Sequence, residues 1–179
     1  MAARERVIYE GDTLVLFSLE ETQTGGKGKV TVEPDLKKNA GKGELIFEYS
    51  KDGRVPAKRT EAIPPNLLMS DMLCPFLIDH WDALLRREVV KCRFIVIPRK
   101  ETVGLKFSYD GQTITGGHEI VTIKMTPTSP IIAALVDPLY FKIEKGGKHR
   151  VLEYSGRTAP KLKVGAKWED LDAITVFEW

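Results

Sequence analysis

Residues 64–87 read PPNLLMSDMLCPFLIDHWDALLRR, the one long helix-like run in a chain whose other segments read as strands. The pair Pro64-Pro65 is a common lead into a helix. Ser70 and Asp71 carry side-chain oxygens that can accept from the free N–H groups of a first turn. Pro75 has no N–H to give to a helical ladder. The spacing therefore predicts a short turn, a break, and a main helix over about 75–87. Leu73, Phe76 or Leu77, Trp81, Leu84 and Leu85 recur at three and four residues and make one broad apolar face. Asp79, Asp82, Arg86 and Arg87 lie off much of it, and the two arginines sit at the C-terminal end, where the helix dipole favours cations. Such a face packs on a sheet as core, and the same face can line a ligand cavity.

C-terminal to this stretch, residues 88–98 form an apolar strand, with Cys92, Phe94 and Val96 against Ile95 and Ile97. Val103, Leu105, Phe107 and Tyr109 then alternate with polar residues, which predicts one dry and one wet face. Asp110-Gly111 and Gly116-Gly117 read as tight turns, with a short strand at 112–115 between them and another at 119–126. Ser129-Pro130 is an N-cap with a first-position proline. It predicts a short helix over about 130–136, apolar nearly all round and so expected to be buried. Residues 139–144 and 149–154 predict a hairpin across 145–147. The segment 155–167 reads as a loop or broken strand, and 172–179 as a closing strand ending on Trp179.

On the N-terminal side, 7–9 and 13–20 read as strands joined at Gly11-Asp12. Residues 24–28 read as a turn, 29–33 as a strand ended by Pro34, 39–43 as a turn and 44–50 as a strand. Asp52-Gly53 is a hairpin signal. It leads into 54–63, where Pro56 and four charges point to an edge or exposed strand. Sequential strands with short turns, about nine to eleven of them, predict a mainly β single domain, 1–179. The expected fold is a curved antiparallel meander forming an open barrel or half-barrel, with both helices on its concave side.

Composition fits an ordinary globular chain: 42% hydrophobic and 29% charged residues. The formal net charge of +2 gives no strong pull toward nucleic acid or an anionic surface. No apolar run approaches the roughly 20 residues of a transmembrane helix. The start, MAARERVIYEG, lacks the apolar core of a signal peptide. Two explanations stand: a cytoplasmic protein, or a leader already removed, with Ala2 and Ala3 as small residues near a cleavage site. Cys74 and Cys92, the two cysteines, are either bridged or free buried thiols.

Chemistry-bearing motifs are absent. His80, His118 and His149 have no partner at zinc-binding spacing, so no metal site is expected. There is no GxSxG, HExxH or phosphate loop, and no cofactor is expected. Gly25, Gly26 and Gly28 have no buried strand leading in and no helix following, so they read as a hairpin turn. The acid pairs Glu20-Glu21 and Glu169-Asp170 fall at strand ends or in loops. A Cys74 nucleophile has no local support. Basic groups such as Lys145, Lys148 and Arg150 have acids nearby and read as solvated surface, without a nucleic-acid recognition pattern.

Three segments carry a family likeness: the helix at 76–87, the strand pair CRFIVIPRKETVGLKFSYDG, and MTPTSPIIAALVDPLYF followed by HRVLEYSG. Over roughly 70–158 they resemble uncharacterised bacterial envelope proteins, some of which are similar to the LolA/LolB lipoprotein carriers. That resemblance implies an open barrel wrapped around helices, an extracytoplasmic (periplasmic) location and no catalytic residues. The functional expectation is a non-catalytic protein that binds a lipid or other hydrophobic molecule. Its pocket would be lined by Leu73, Phe76, Leu77, Trp81, Phe94, Phe107 and Phe141. The alternatives are an envelope scaffold with a filled core, and an enzyme whose site is assembled from distant residues.

Overall fold

The computed structural model describes residues 1–11, 13–33 and 43–178. The expectations for Asp12, for Pro34, for 39–42 and for Trp179 lie outside them. The described chain is mainly β. It begins with β1 (Ala3–Glu10), β2 (Thr13–Glu21), β3 (Gly26–Glu33), β4 (Glu44–Lys51), β5 (Ala57–Ala62) and β6 (Leu67–Leu68). Two helical turns follow, α1 (Leu73–Asp79) and α2 (Trp81–Leu85), then β7 (Val90–Val96), β8 (Glu101–Thr115) and β9 (His118–Pro127). The chain closes with α3 (Pro130–Ala133), β10 (Leu139–Glu144), β11 (Val151–Val164) and β12 (Lys167–Val176). Among the described residues these strands make a five-stranded sheet, β1-β2-β3-β4-β5, and a seven-stranded sheet, β12-β11-β10-β9-β8-β7-β6. Chain order and sheet order coincide, as a meander requires. Both sheets end on edge strands, and β5 is an edge as Pro56 and its charges predict.

The chain divides into two compact units. Unit 1 holds Met1–Leu67, Ile95–Thr102 and Ala159–Asp170; unit 2 holds Leu68–Phe94, Val103–Thr158 and Leu171–Trp179.

In unit 1, β1 to β4 pair antiparallel with their neighbours in unbroken hairpin order, and β4 pairs β5. Phe17, Val30, Leu45 and Phe47 are buried, and Phe17, Val30 and Phe47 share one row across β2, β3 and β4. Ile97, in the 3-10 turn Ile97–Arg99, packs over this sheet. Gly28 makes room for it: a Cβ there would collide with the Ile97 side chain and stand 2.6 Å from the Glu48 carbonyl. Gly28 is thus a strand residue under a close approach and not part of a turn.

In unit 2, α1 and α2 press one face onto the sheet. The helical stretch differs from the predicted 75–87 in where it breaks. Pro75 sits in the first turn of α1, where N–H groups have no intrahelical partner, so it is tolerated. The break comes at His80, whose backbone (φ −106°, ψ 15°) leaves the helical region. Its backbone N–H and its ring Nδ1 both reach the Phe76 carbonyl, at 3.2 and 2.9 Å. Since a carbonyl only accepts, Nδ1 carries the proton. Ser70 and Asp71 lie within a 3-10 turn, and the residues at the caps, Met69 and Met72, make no side-chain cap bond. The end of α2 is closed by Arg87 in the left-handed region (φ 63°). Arg87 N–H donates to Leu84 O at 2.9 Å and Glu88 N–H to Ala83 O at 3.0 Å, which satisfies the last carbonyls. The Arg87 guanidinium lies 5.2 Å from the Tyr109 ring centroid, a contact that offsets the cost of a non-glycine residue there.

The sheet beneath is a set of aligned rows. Tyr109, Ile123, Phe141 and Tyr154 stand opposite one another across β8, β9, β10 and β11. Val121 and Ile143 continue the same face. Three local expectations are corrected. Asp110-Gly111 is not a turn; the register shifts between Tyr109 and Gly111, so Asp110 is the extra residue of a bulge and β8 runs on to Thr115. The segment 155–167 follows the strand alternative and not the loop, though unbroken to Val164: it is the outer part of β11, the turn at 165–166 and the first residue of β12. Among the described residues the register of β11 with β10 ends at Ser155, so Pro160 falls where no ladder to β10 asks for an N–H. Third, α3 is shorter than 130–136 and has no buried residue; Ile131 is 76% and Leu135 80% exposed. Ser129 caps it, its hydroxyl accepting from Ile132 N–H at 3.5 Å. A helix this short has too little surface to be drawn inward against the cost of burying its open ends.

Candidate functional site

The seven residues expected to line a pocket do come together, in the core of unit 2. Phe76, Leu77, Trp81, Phe107 and Phe141 are buried there, and Leu73 and Phe94 pack against them half-buried. The Phe107 ring centroid is 5.7 Å from that of Phe76 and 6.4 Å from that of Phe141, ordinary spacings for aromatic packing. None of the seven lines the cavity found beside this core.

That cavity, about 740 Å³, lies within unit 2. One wall is the outer side of α1, with Cys74 and Ile78. Another is the β10–β11 turn with its flanks, from Glu144 through Gly147, Lys148, His149 and Arg150 to Val151. Phe177, just after β12, completes it. Ile78, Val151 and Phe177 supply apolar surface, and the turn supplies cations.

The turn is shaped by two left-handed residues, Gly147 (φ 64°) and His149 (φ 52°). The second is held from two sides. Its ring Nδ1 donates to the Glu144 carbonyl at 3.3 Å, and the ring stacks on Trp81 with centroids 4.7 Å apart. Glu144 accepts from Arg150 Nε at 2.9 Å and pairs with His118 Nδ1 at 3.0 Å. The hydrogen bond from Arg150 holds its carboxyl below the usual carboxylate range. Arg150 is thereby neutralised in place. Lys148 has no ion pair among the described residues, so the cavity carries a surplus positive charge at its turn.

Both cysteines are free thiols, Cys74 exposed and Cys92 buried. Cys74 and His149 reach the same cavity, the pairing a cysteine nucleophile would need. The thiol is shifted the wrong way for that role. Loss of water around Cys74 raises its pKa, whereas a nucleophile requires a lowered one. His149 already has its Nδ1 proton on a backbone carbonyl and its face on Trp81. The arrangement suits holding a molecule more than attacking one.

Sequence reasoning missed this site because its residues come from three distant segments. The signal was the run Lys145-Gly146-Gly147-Lys148-His149-Arg150, a glycine turn dense in cations, which on its own reads as solvated surface. Comparison with protein-family models, curated proteins and solved structures finds no match to this chain.

Proposed function

We propose that this protein is a non-catalytic binding protein whose unit 2 cavity holds a lipid-class amphiphile, with its chain along Ile78, Val151 and Phe177 and its anionic head at Lys148. The observation that carries this reading is the joining of an apolar wall and a cation without an ion pair among the described residues around one cavity of about 740 Å³, a size suited to a small ligand. Burial of the chain supplies affinity at about 25 cal/mol per Å² of apolar surface, and the head group supplies orientation. The aromatic core of unit 2 then acts as the rigid backing for the site, with Trp81 bracing His149. An extracytoplasmic location, the expectation raised by the envelope resemblance, is part of the same proposal.

Native mass spectrometry of the purified chain tests it directly, by looking for copurified lipid. Titration with a fluorescent fatty acid tests the site. Lys148→Glu is expected to weaken binding about tenfold, or about 1.4 kcal/mol, and a fatty alcohol of equal length is expected to bind more weakly than the acid. Equal binding of acid and alcohol, or full binding by the Phe177→Ala variant, would remove the reading.

A further inference from the structure

Unit 1 carries a second cleft, of about 530 Å³, with different chemistry. It is lined by the β2–β3 turn (Gln23, Thr24, Gly25), the end of β4 with the residue after it (Lys51, Asp52), and the β11–β12 turn with the start of β12 (Ala166, Lys167, Trp168). The β2–β3 turn is bonded both to β11 and to the β4–β5 turn. Gln23 Nε2 donates to Lys161 O at 3.2 Å and its Oε1 accepts from Lys161 N–H at 2.8 Å. Asp52 N–H donates to Gly25 O at 3.2 Å. Asp52 itself is left-handed (φ 55°), which lays its carboxylate over Gly25; a Cβ on that glycine would stand 3.0 Å from Oδ1.

Several residues lining this cleft carry polar groups without a partner among the described residues. The Thr24 hydroxyl oxygen is buried and has no hydrogen-bond partner among the described residues. A buried hydroxyl left unpaired costs stability, and in a cleft it is an invitation to a ligand. Lys51, Lys167 and Asp52 make no ion pair among the described residues. Trp168 is 41% exposed, with Lys163 Nζ 5.7 Å from its ring centroid.

We propose that this cleft binds a neutral carbohydrate, with Trp168 as the stacking platform and Thr24, Asp52, Lys51 and Lys167 as its hydrogen-bonding groups. The mixture of charges selects the ligand class. A simple anion would be met by Asp52, and a cation by the two lysines. A neutral polyol donates hydroxyls to the carboxylate and the Thr24 oxygen while accepting from the ammonium groups. Its C–H faces, carrying slight positive charge, lie on the electron-rich face of an indole. This assignment stands apart from the amphiphile site, which lies in the other unit.

The test is calorimetric titration of the full chain with maltotriose, cellotriose and triacetylchitotriose, followed in parallel by tryptophan fluorescence. One of the three is expected to bind with a Kd of about 1 mM or tighter. Trp168→Ala is expected to abolish it, while Trp168→Phe, which keeps a smaller platform, retains part of it. Thr24→Val, equal in size but without the hydroxyl, is expected to weaken binding about fivefold to tenfold. Ile131→Lys, on the exposed α3 of unit 2, leaves it unchanged. The proposal fails if the unmodified chain binds none of the three sugars, or if binding survives Trp168→Ala. It fails equally if inorganic phosphate competes fully with the sugar, which would make the cleft an anion site.

Discussion

Trp81 and His149 stack with ring centroids 4.7 Å apart and an interplanar angle of 34°. The pair joins the helical face of unit 2 to the turn that forms the cavity wall, so the core and the site share a side chain. His149 is a non-glycine residue in the left-handed region, and the stack is one of the two contacts that hold it there.

Removing the indole should therefore act on both. Trp81→Ala is expected to cost about 3–5 kcal/mol, as for other buried large-to-small changes, read as a lower urea midpoint with an unchanged slope. Trp81→Phe should keep the fold and still weaken fatty-acid binding, because the smaller ring supports the imidazole less well. A Trp81→Phe variant with full affinity would separate the stack from the site.

Gly28 and Ile97 make a second dependent pair. Gly28→Ala is expected to destabilise unit 1 by about 1–3 kcal/mol, the usual cost of overpacking. Trimming the partner to alanine removes the Ile97 Cγ2 that the new Cβ would strike, so the double variant Gly28→Ala, Ile97→Ala should lose less than the sum of the two single changes, with the Glu48 carbonyl contact keeping part of the loss. Additivity of the two changes in a double-mutant cycle would show that they do not meet.

Burial makes the fold sensitive to alkali. Cys92 is pushed up to about 11 from an ordinary 9.0, chiefly by burial and against a smaller opposing effect of the Leu105 backbone and Arg93. Tyr154 and Tyr49 are each pushed up to about 12 from 10.0, again mainly by burial. These groups ionise earlier in the unfolded chain, which then holds fewer protons than the native state, so stability must fall as pH rises. It is whole below pH 9 and declines between there and about 12. Urea midpoints measured across that range should show the decline, and Cys92→Ala should delay its onset. At pH 8, iodoacetamide should label Cys74 in the native protein and Cys92 only after unfolding.

At the other end of the scale, Glu48, Glu101 and Glu144 lie below the usual carboxylate range because of hydrogen bonds from Lys58, Arg99 and Arg150 respectively. Their contribution is present above the unfolded carboxylate range and is lost as pH falls through their lowered values. All three pairs are solvent-accessible, so the acid loss should be small and should shrink further in added salt. A large, salt-insensitive loss would point to a different set of carboxylates.

The exposed helix α3 gives a clean negative result to look for. Ile131→Lys and Leu135→Lys should each change stability by less than about 0.5 kcal/mol. A loss of several kcal/mol from either would mean that the two side chains are covered.

Much of this fold was legible because hairpins announce themselves locally. Asp52-Gly53 and Gly116-Gly117 sit in turns with positive φ at Asp52, Gly53, Gly116 and Gly117, the backbone geometry that those dipeptides favour. The alternation of Val103 to Tyr109 placed Phe107 in a core for the same reason. Illegible were the places where a turn signal was overruled. Asp110-Gly111 became a bulge because β8 pairs with β9 on both sides of it. Gly156 lies inside β11 (φ 140°) because a Cβ there would strike Leu139, a residue on the neighbouring strand.

Taken alone, the sequence determined the strand order, the apolar helical face and the seven residues that gather in the core of unit 2, since periodicity and turn chemistry act over a few residues at a time. Only the tertiary structure decided that α3 stays exposed, that the chain divides into two compact units, and that clefts form from segments far apart in the chain. The physical reason is that burial and charge pairing depend on which distant surfaces meet. Lys148 and Phe177, or Thr24 and Trp168, share a cavity only after the sheets have formed.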